Sequence, residues 1–229
     1  MAFCALSEAK GMDINMKKKL LSLCLACVML ITVGCGSEKT NSDKQSNANT
    51  LEGTYVVTEL SQSILDKLVF SADGTVRVVW VGKYTKIQAD DGMQYDMTLC
   101  ADTTPYASYM IKKTGDSYSF APMQNGNVMS NNSIQINLDS GSDGLSNLEP
   151  FDGVFSTSNQ DTVLTFQKDG LNYTDTLQTY QLVDDALLLT YMGGTCKLDF
   201  SANNDLSEIT VVIQETPEMK SQEVTLVKQ

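Results

Sequence analysis

From residue 51 onward, apolar and polar residues alternate in short runs, and turn-forming pairs separate the runs: Asp73-Gly74, Asp91-Gly92, Gly115-Asp116, Asp169-Gly170 and Asn203-Asn204. A period of two places apolar side chains on one face of a strand and polar ones on the other. Asp-Gly between two such runs marks a hairpin, because its residues tolerate the positive φ that tight turns require. The pattern predicts strands over Thr54–Thr58, Lys67–Ser71, Thr75–Val81, Tyr84–Gln88, Gln94–Cys100, Tyr106–Lys112, Ser117–Pro122 and Ser133–Leu138. A second set follows over Gly153–Ser156, Thr162–Gln167, Asn172–Leu177, Thr179–Leu182, Ala186–Tyr191, Thr195–Phe200, Glu208–Gln214 and Glu223–Lys228. One stretch departs from it: in Glu59–Lys67 and just beyond, Leu60, Ile64 and Leu68 fall four apart, which predicts a short helical turn. The expected fold class is all-β.

The two sets are copies of one pattern. Displacing the chain by 96 residues lays Leu68-Val69-Phe70-Ser71-Ala72-Asp73-Gly74 on Leu164-Thr165-Phe166-Gln167-Lys168-Asp169-Gly170. In the same gapless register Tyr84 lies on Tyr180, Ile87 on Val183, Tyr95 on Tyr191 and Cys100 on Cys196. Gly141-Ser142-Asp143-Gly144 is the natural boundary, giving a first repeat over 51–144 and a second over 145–229. Two sets of short antiparallel strands predict two small barrels or sandwiches, because closure removes exposed edges; one larger closed sheet built from both copies is the alternative.

Ahead of the repeats the pattern changes character. Lys17-Lys18-Lys19 is followed by a 14-residue apolar run, Leu20 to Val33, and then by Gly34-Cys35-Gly36. As a helix the run would reach about 21 Å, short of the ~30 Å hydrocarbon core, so an export signal is expected in place of a membrane span. Thr32-Val33-Gly34-Cys35 resembles the lipobox of bacterial lipoproteins, with Thr32 where an aliphatic residue is usual. The resemblance implies a diacylglyceryl thioether on Cys35 and removal of residues 1–34. Met16 stands directly before the lysines, so translation is expected to start there. Gly36 to Thr50 has almost nothing apolar to bury and reads as a flexible tether after the anchored Cys35.

Gly53, Tyr55, Leu68, Phe70, Asp73, Gly74, Tyr84 and Ile87, with Gly153, Phe155, Leu164, Phe166, Asp169, Gly170, Tyr180 and Val183 as counterparts, form a pattern that resembles the lipocalin-like domains of Gram-positive gut-bacterial lipoproteins. The resemblance covers both copies and implies a fold; it brings no ligand and no catalytic residue.

Charge narrows the partners. Four of the 16 basic residues and two of the 28 acidic ones precede Cys35, leaving a net charge of −14 for the remainder. That argues against nucleic acid, whose binding needs clustered positive charge. The chain has no histidine, which excludes a Ser-His-Asp triad, a Cys-His pair and a histidine zinc site. Carboxylate or Ser-Lys chemistry stays open. Asp90-Asp91 and Asp184-Asp185 read as solvated turns, since neighbours on a strand point to opposite faces. Asp139-Ser140-Gly141-Ser142-Asp143-Gly144 begins like a calcium loop, but Gly141 and Pro150 stand where ligand oxygens belong, so it reads as a linker and no metal or cofactor is expected.

After the cut, Cys100 and Cys196 are the cysteines left besides Cys35. In an exported protein they form a disulfide or serve as two buried small hydrophobes. Trp80, Tyr84 and Tyr95 make the first copy the richer in aromatics and are the candidate ligand-binding residues. The expected function is that of a membrane-anchored, extracytoplasmic binding or interaction module, its partner a small apolar ligand or a surface protein. The alternatives are a surface hydrolase working through carboxylates or a Ser-Lys pair, and a purely structural envelope protein.

Overall fold

A computed structural model describes residues 51–59, 63–99, 104–191, 194–215 and 219–229. The signal, Cys35, the tether and Cys100 lie outside them. The described residues form an antiparallel all-β structure. Its strands are β1 (Gly53–Val57), β2 (Leu65–Phe70), β3 (Thr75–Ala89), β4 (Gly92–Thr98), β5 (Pro105–Thr114), β6 (Ser117–Gln124), β7 (Asn127–Val128) and β8 (Ile134–Gly141). They continue as β9 (Gly153–Ser156), β10 (Thr162–Phe166), β11 (Leu171–Val183), β12 (Ala186–Tyr191), β13 (Gly194–Ala202), β14 (Glu208–Ile213) and β15 (Gln222–Lys228).

All fifteen belong to one connected sheet, closed by the extra pairings β5–β6 and β3–β11. Hydrogen bonds trace two closed circuits of eight strands. The first runs β3-β2-β1-β15-β14-β13-β12-β11 and returns to β3; the second runs β3-β4-β5-β6-β8-β9-β10-β11 and returns to β3. Both circuits use the β3–β11 pair. β3 has 15 residues and β11 has 13, where five or six is usual. At about 3.3 Å per residue, β3 spans roughly 50 Å, enough to run through both circuits. β2 pairs with β3 from Val76 to Trp80 and β4 from Lys83 to Ala89, so the two ends of one strand serve different circuits.

Residues 96 apart do equivalent work. Val79 faces Asp175 at the centre of the β3–β11 pair, and Thr75–Thr179 mirrors Lys83–Leu171 at its ends. Tyr84 donates its amide N–H to Gly170 O at 2.8 Å, and Tyr180 donates to Gly74 O at 3.0 Å. Gly74 and Gly170 hold φ of +83° and +85°, and an added Cβ would meet nothing within 4 Å at either, so the backbone conformation selects glycine there. Asp73 Oδ1 accepts the Thr75 amide and Asp169 Oδ1 the Leu171 amide, each at 3.0 Å, closing the two turns alike.

Each circuit encloses one core, and both cores draw on both halves of the chain. The first holds Tyr55, Leu68 and Phe70 against Tyr180, Leu187 and Ile209. The second holds Tyr84, Tyr95 and Phe120 against Phe151, Phe155 and Phe166. The cores do not follow the boundary expected at Gly141–Gly144.

Three expectations need correction. Leu65–Phe70 is strand where a helical turn was expected to extend to Lys67; residues 60–62 lie outside the described set, and the helical element in this half is a 3-10 turn at Ser130–Asn132. Ile64 stands just ahead of β2, and a bulge between Leu65 and Lys67 turns Leu65 to the face of Leu68, so all three reach the first core without a helical turn. Thr75–Val81 and Tyr84–Gln88 are one strand, and so are Asn172–Leu177 and Thr179–Leu182. Gly82 does not break β3: an added Cβ would lie 2.6 Å from Tyr106 Oη and 3.0 Å from Thr98 O, so the glycine admits close packing. Finally, the gapless register ends at the hairpin turns. Tyr84 faces Met97, but Tyr180 faces Leu189, because Asp184-Asp185 turns the chain two residues sooner than Asp90-Asp91 does. Tyr95 therefore corresponds to Leu187, not Tyr191, and Cys196 corresponds to Ala107, not Cys100.

Candidate functional site

Tyr84 and Tyr95 meet inside the second circuit, with ring centroids 6.0 Å apart. Phe166 packs against both, at 5.2 and 5.0 Å, and stacks on Phe151 at 5.0 Å. The hydroxyl of Tyr84 accepts the Phe151 amide at 2.9 Å and donates to Gln167 O at 3.1 Å. Its counterpart Tyr180 donates to Leu51 O at 2.8 Å in the first circuit. In each circuit a tyrosine of a shared strand thus ties down the residue two before a strand-opening glycine, Gly153 or Gly53. The Tyr95 hydroxyl is buried and makes no hydrogen bond among the described residues.

Trp80 belongs to the other circuit. It faces Leu65 and Thr174 and packs, half-buried, against the first core. The aromatic candidates therefore do not converge on one site: Tyr84 and Tyr95 are core, and Trp80 is a core residue elsewhere. Opposite the apolar β3 face, β11 buries a polar row, Asn172, Thr174, Thr176 and Gln178, each at most 8% exposed. Thr174 donates to Asn172 Oδ1 at 3.0 Å and Gln178 to Thr176 Oγ1 at 2.8 Å, while Asn172 donates to Thr165 O at 3.3 Å and Thr176 to Val78 O at 3.4 Å, so the row is satisfied within β11 and by the strands on either side.

Lys86 faces Tyr95 across β3–β4 and is only 8% exposed. Its Nζ donates to Glu149 O at 3.0 Å and lies 4.9 Å from the centre of the Phe151 ring. Burial drives this amine below its ordinary range, because a desolvated charge is disfavoured. Six tyrosine hydroxyls move the other way for the same reason. Tyr55, Tyr84, Tyr95, Tyr180 and Tyr191 are raised above the ordinary value of 10.0, and Tyr109, stacked on Phe120, is pushed up to about 12.

These shifts set a pH dependence. A tyrosine raised in the fold keeps its proton after the unfolded chain has lost its own. Its stabilising share is complete below pH 10 and is lost as pH climbs through the folded values. Lys86 has the opposite sign, one amine against six phenols. The urea midpoint, followed by far-ultraviolet circular dichroism, is expected to fall between pH 9 and pH 11; a steady or rising midpoint would contradict it.

The acidic turns lead to a different place. A concavity of about 710 Å³ opens on the outer wall of the first circuit, across β12, β13, β14 and β15. Asp184, Asp185, Asp199 and Glu223 stand around a floor that includes Leu188 and Val212. Alternation accounts for it: Leu187, Leu198 and Ile213 point into the core, so Ala186, Asp199 and Val212 point out, and the register puts Glu223 at the end of that row. Sequence reading treated Asp184-Asp185 as a solvated turn and missed the wall beside it; the outward positions Lys197, Asp199 and Ser201 of one alternating strand are the signal that was present.

Cys196 sits half-buried on β13 opposite Leu189. Asp143 is occupied within the linker: it accepts Lys113 Nζ and the Tyr118 hydroxyl at 3.2 Å each and the Leu145 amide at 3.1 Å. Asp91 pairs with Lys112. No protein-family model matches the chain, and neither a curated protein nor a solved structure does.

Proposed function

We propose that this chain is an exported lipoprotein, held through a diacylglyceryl thioether on Cys35, whose β-region is a binding or interaction module at the extracytoplasmic face of the membrane. The observation that carries this reading is the run of Lys17-Lys18-Lys19, the apolar Leu20 to Val33, and Gly34-Cys35. Two acyl chains give stable anchoring where one is marginal, at about 0.8 kcal/mol per buried methylene. A flexible tether of the 15 residues Gly36 to Thr50 has a root-mean-square reach of about 20–25 Å, so the β-region works close to the bilayer.

The β-region is a pair of lipocalin-like barrels that have exchanged strands: β1 to β3 of the first copy close on β11 to β15 of the second, and β9 to β11 close on β3 to β8. The paired bonds Tyr84–Gly170 and Tyr180–Gly74, 96 residues apart, support that reading. Aromatic side chains fill the second interior, and the concavity lies on an outer wall. Both favour a partner bound outside over a small apolar ligand in a lumen.

Labelling cells with an alkyne-bearing fatty acid tests the anchor. The native chain is expected to take up label and to sediment with membranes. Cys35→Ala is expected to lose at least tenfold in label and to leave the membrane fraction on washing. Equal labelling of the two would sink the lipoprotein reading.

A further inference from the structure

We infer that the outer wall of the first circuit binds an extended, lysine- or arginine-bearing peptide segment of a partner protein, with Asp184, Asp185, Asp199 and Glu223 taking its cationic side chains and Leu188 and Val212 its apolar ones. This rests on reading the β-region as a binding module. The wall mixes the two kinds of group in one concavity of about 710 Å³, within the range of pockets that enclose ligands. Asp199 and Glu223 flank Val212 in a single cross-strand row. With strands 4.7–4.9 Å apart, that sets the backbones of the two acidic residues roughly 9–10 Å from each other, with an apolar residue between them. Among the described residues none of the four carboxylates has an ion pair. Asp199 accepts a hydrogen bond from the Gln214 amide at 3.0 Å, and Lys197 is the one cation of the lining.

The fold supplies its own control. In the second circuit the register equates Asp199 with Met110 and Val212 with Ala121, both buried and uncharged, and Lys197 with Ser108. The hairpin turn there does carry Asp91, but Lys112 neutralises it. The row that carries Asp199 on the first wall is therefore apolar on the second, and the second wall's own carboxylate, Asp96 at the position of Leu188, is taken up by hydrogen bonds from Gln94 and Ser108 at 2.7 Å each. Electrostatic complementarity of this kind selects a cationic partner and speeds its arrival. Because the carboxylates enclose an apolar floor, a chain with both cationic and apolar side chains fits better than a simple polyamine.

The full-length chain in detergent micelles is titrated calorimetrically with an acetylated, amidated Lys-Leu octapeptide. Micromolar binding is expected. Asp185→Asn/Glu223→Gln is expected to weaken it at least tenfold, whereas Asp90→Asn/Asp116→Asn, which removes two exposed charges from the second circuit, changes it less than twofold. Leu188→Ser is expected to weaken it three- to tenfold with the circular dichroism spectrum unchanged. No binding, or equal weakening by the two charge-removing doubles, overturns the site, the latter because net charge alone then accounts for affinity. Spermine binding as tightly as the octapeptide, with no effect of Leu188→Ser, also overturns it in favour of a polyamine site. None of these outcomes bears on acylation of Cys35, so failure here and failure of the anchor are told apart.

Discussion

Cutting the chain between Asn147 and Leu148 is expected to leave both pieces bound in one particle of unchanged mass. The pieces correspond to the two repeats expected from the sequence, yet neither contains a complete circuit. β1 has β15 as its outer neighbour, β8 has β9, and β3 pairs with β11 through nine residue pairs from Leu171–Lys83 to Thr179–Thr75. Separation would break all three seams and expose Tyr55, Leu68 and Phe70 on one side and Leu187, Leu198 and Ile209 on the other, all at most 3% exposed in the intact chain. Each such side chain contributes about 1.5–3 kcal/mol by leaving water. The cut site suits the test because Leu148 is 56% exposed, and it lies ahead of Glu149, whose carbonyl holds Lys86. With a protease site inserted there, the cleaved chain should elute as a single species by size exclusion with light scattering and divide only in urea. Two separate fragments in native buffer would mean that each piece closes on itself, β8 returning to β1, and would defeat the exchanged arrangement.

The sequence made the local elements legible and left their partners hidden. Asp73-Gly74 and Asp169-Gly170 announced their hairpins because turn chemistry is local, and the strands on either side followed from alternation. Which strand closes against which was not written locally. Tyr55 alternates in the same way whether its outer neighbour is β8 or β15, and the length of β3 was masked by Gly82, which resembles a break but admits Tyr106. The four-residue slip after Asp184-Asp185 was equally silent. A gapless match through Tyr180 and Val183 carries on by inertia, although the hairpin has already turned. At the site, alternation could have marked Asp199 and Val212 as outward neighbours, yet only the register across β13, β14 and β15 gathers them with Glu223. The aromatic candidates were named for their chemistry, and chemistry alone does not say that Tyr84 and Tyr95 are packed in the core of one circuit while Trp80 edges the other.

Phe166→Ala is expected to cost about 3–5 kcal/mol, the range for emptying a large aromatic from a close-packed core. Phe166 is 3% exposed and has ring contacts with Tyr84, Tyr95, Phe151 and Phe155, so no single neighbour can move in to fill the space. Against a typical total of about 5–15 kcal/mol, that is about a fifth of the stability or more. Its counterpart Phe70, 2% exposed and set edge-on against Tyr55 and Tyr180, should lose a similar amount on Phe70→Ala. The two phenylalanines share no ring partner, so their effects should add to within about 0.3–0.5 kcal/mol, and the double variant should be largely unfolded at 25 °C. Trp80 makes the comparison sharper. It packs on the first core, so its fluorescence reports the first circuit, whereas far-ultraviolet circular dichroism reports both. In urea, Phe166→Ala damages only the second core directly. Because β3 and β11 run unbroken through both circuits, loss of one removes the edges on which the other closes, and the two signals should move together to a lower midpoint. A Trp80 transition that stays at the native midpoint while the dichroism splits into two steps would mean that the shared strands do not couple the circuits.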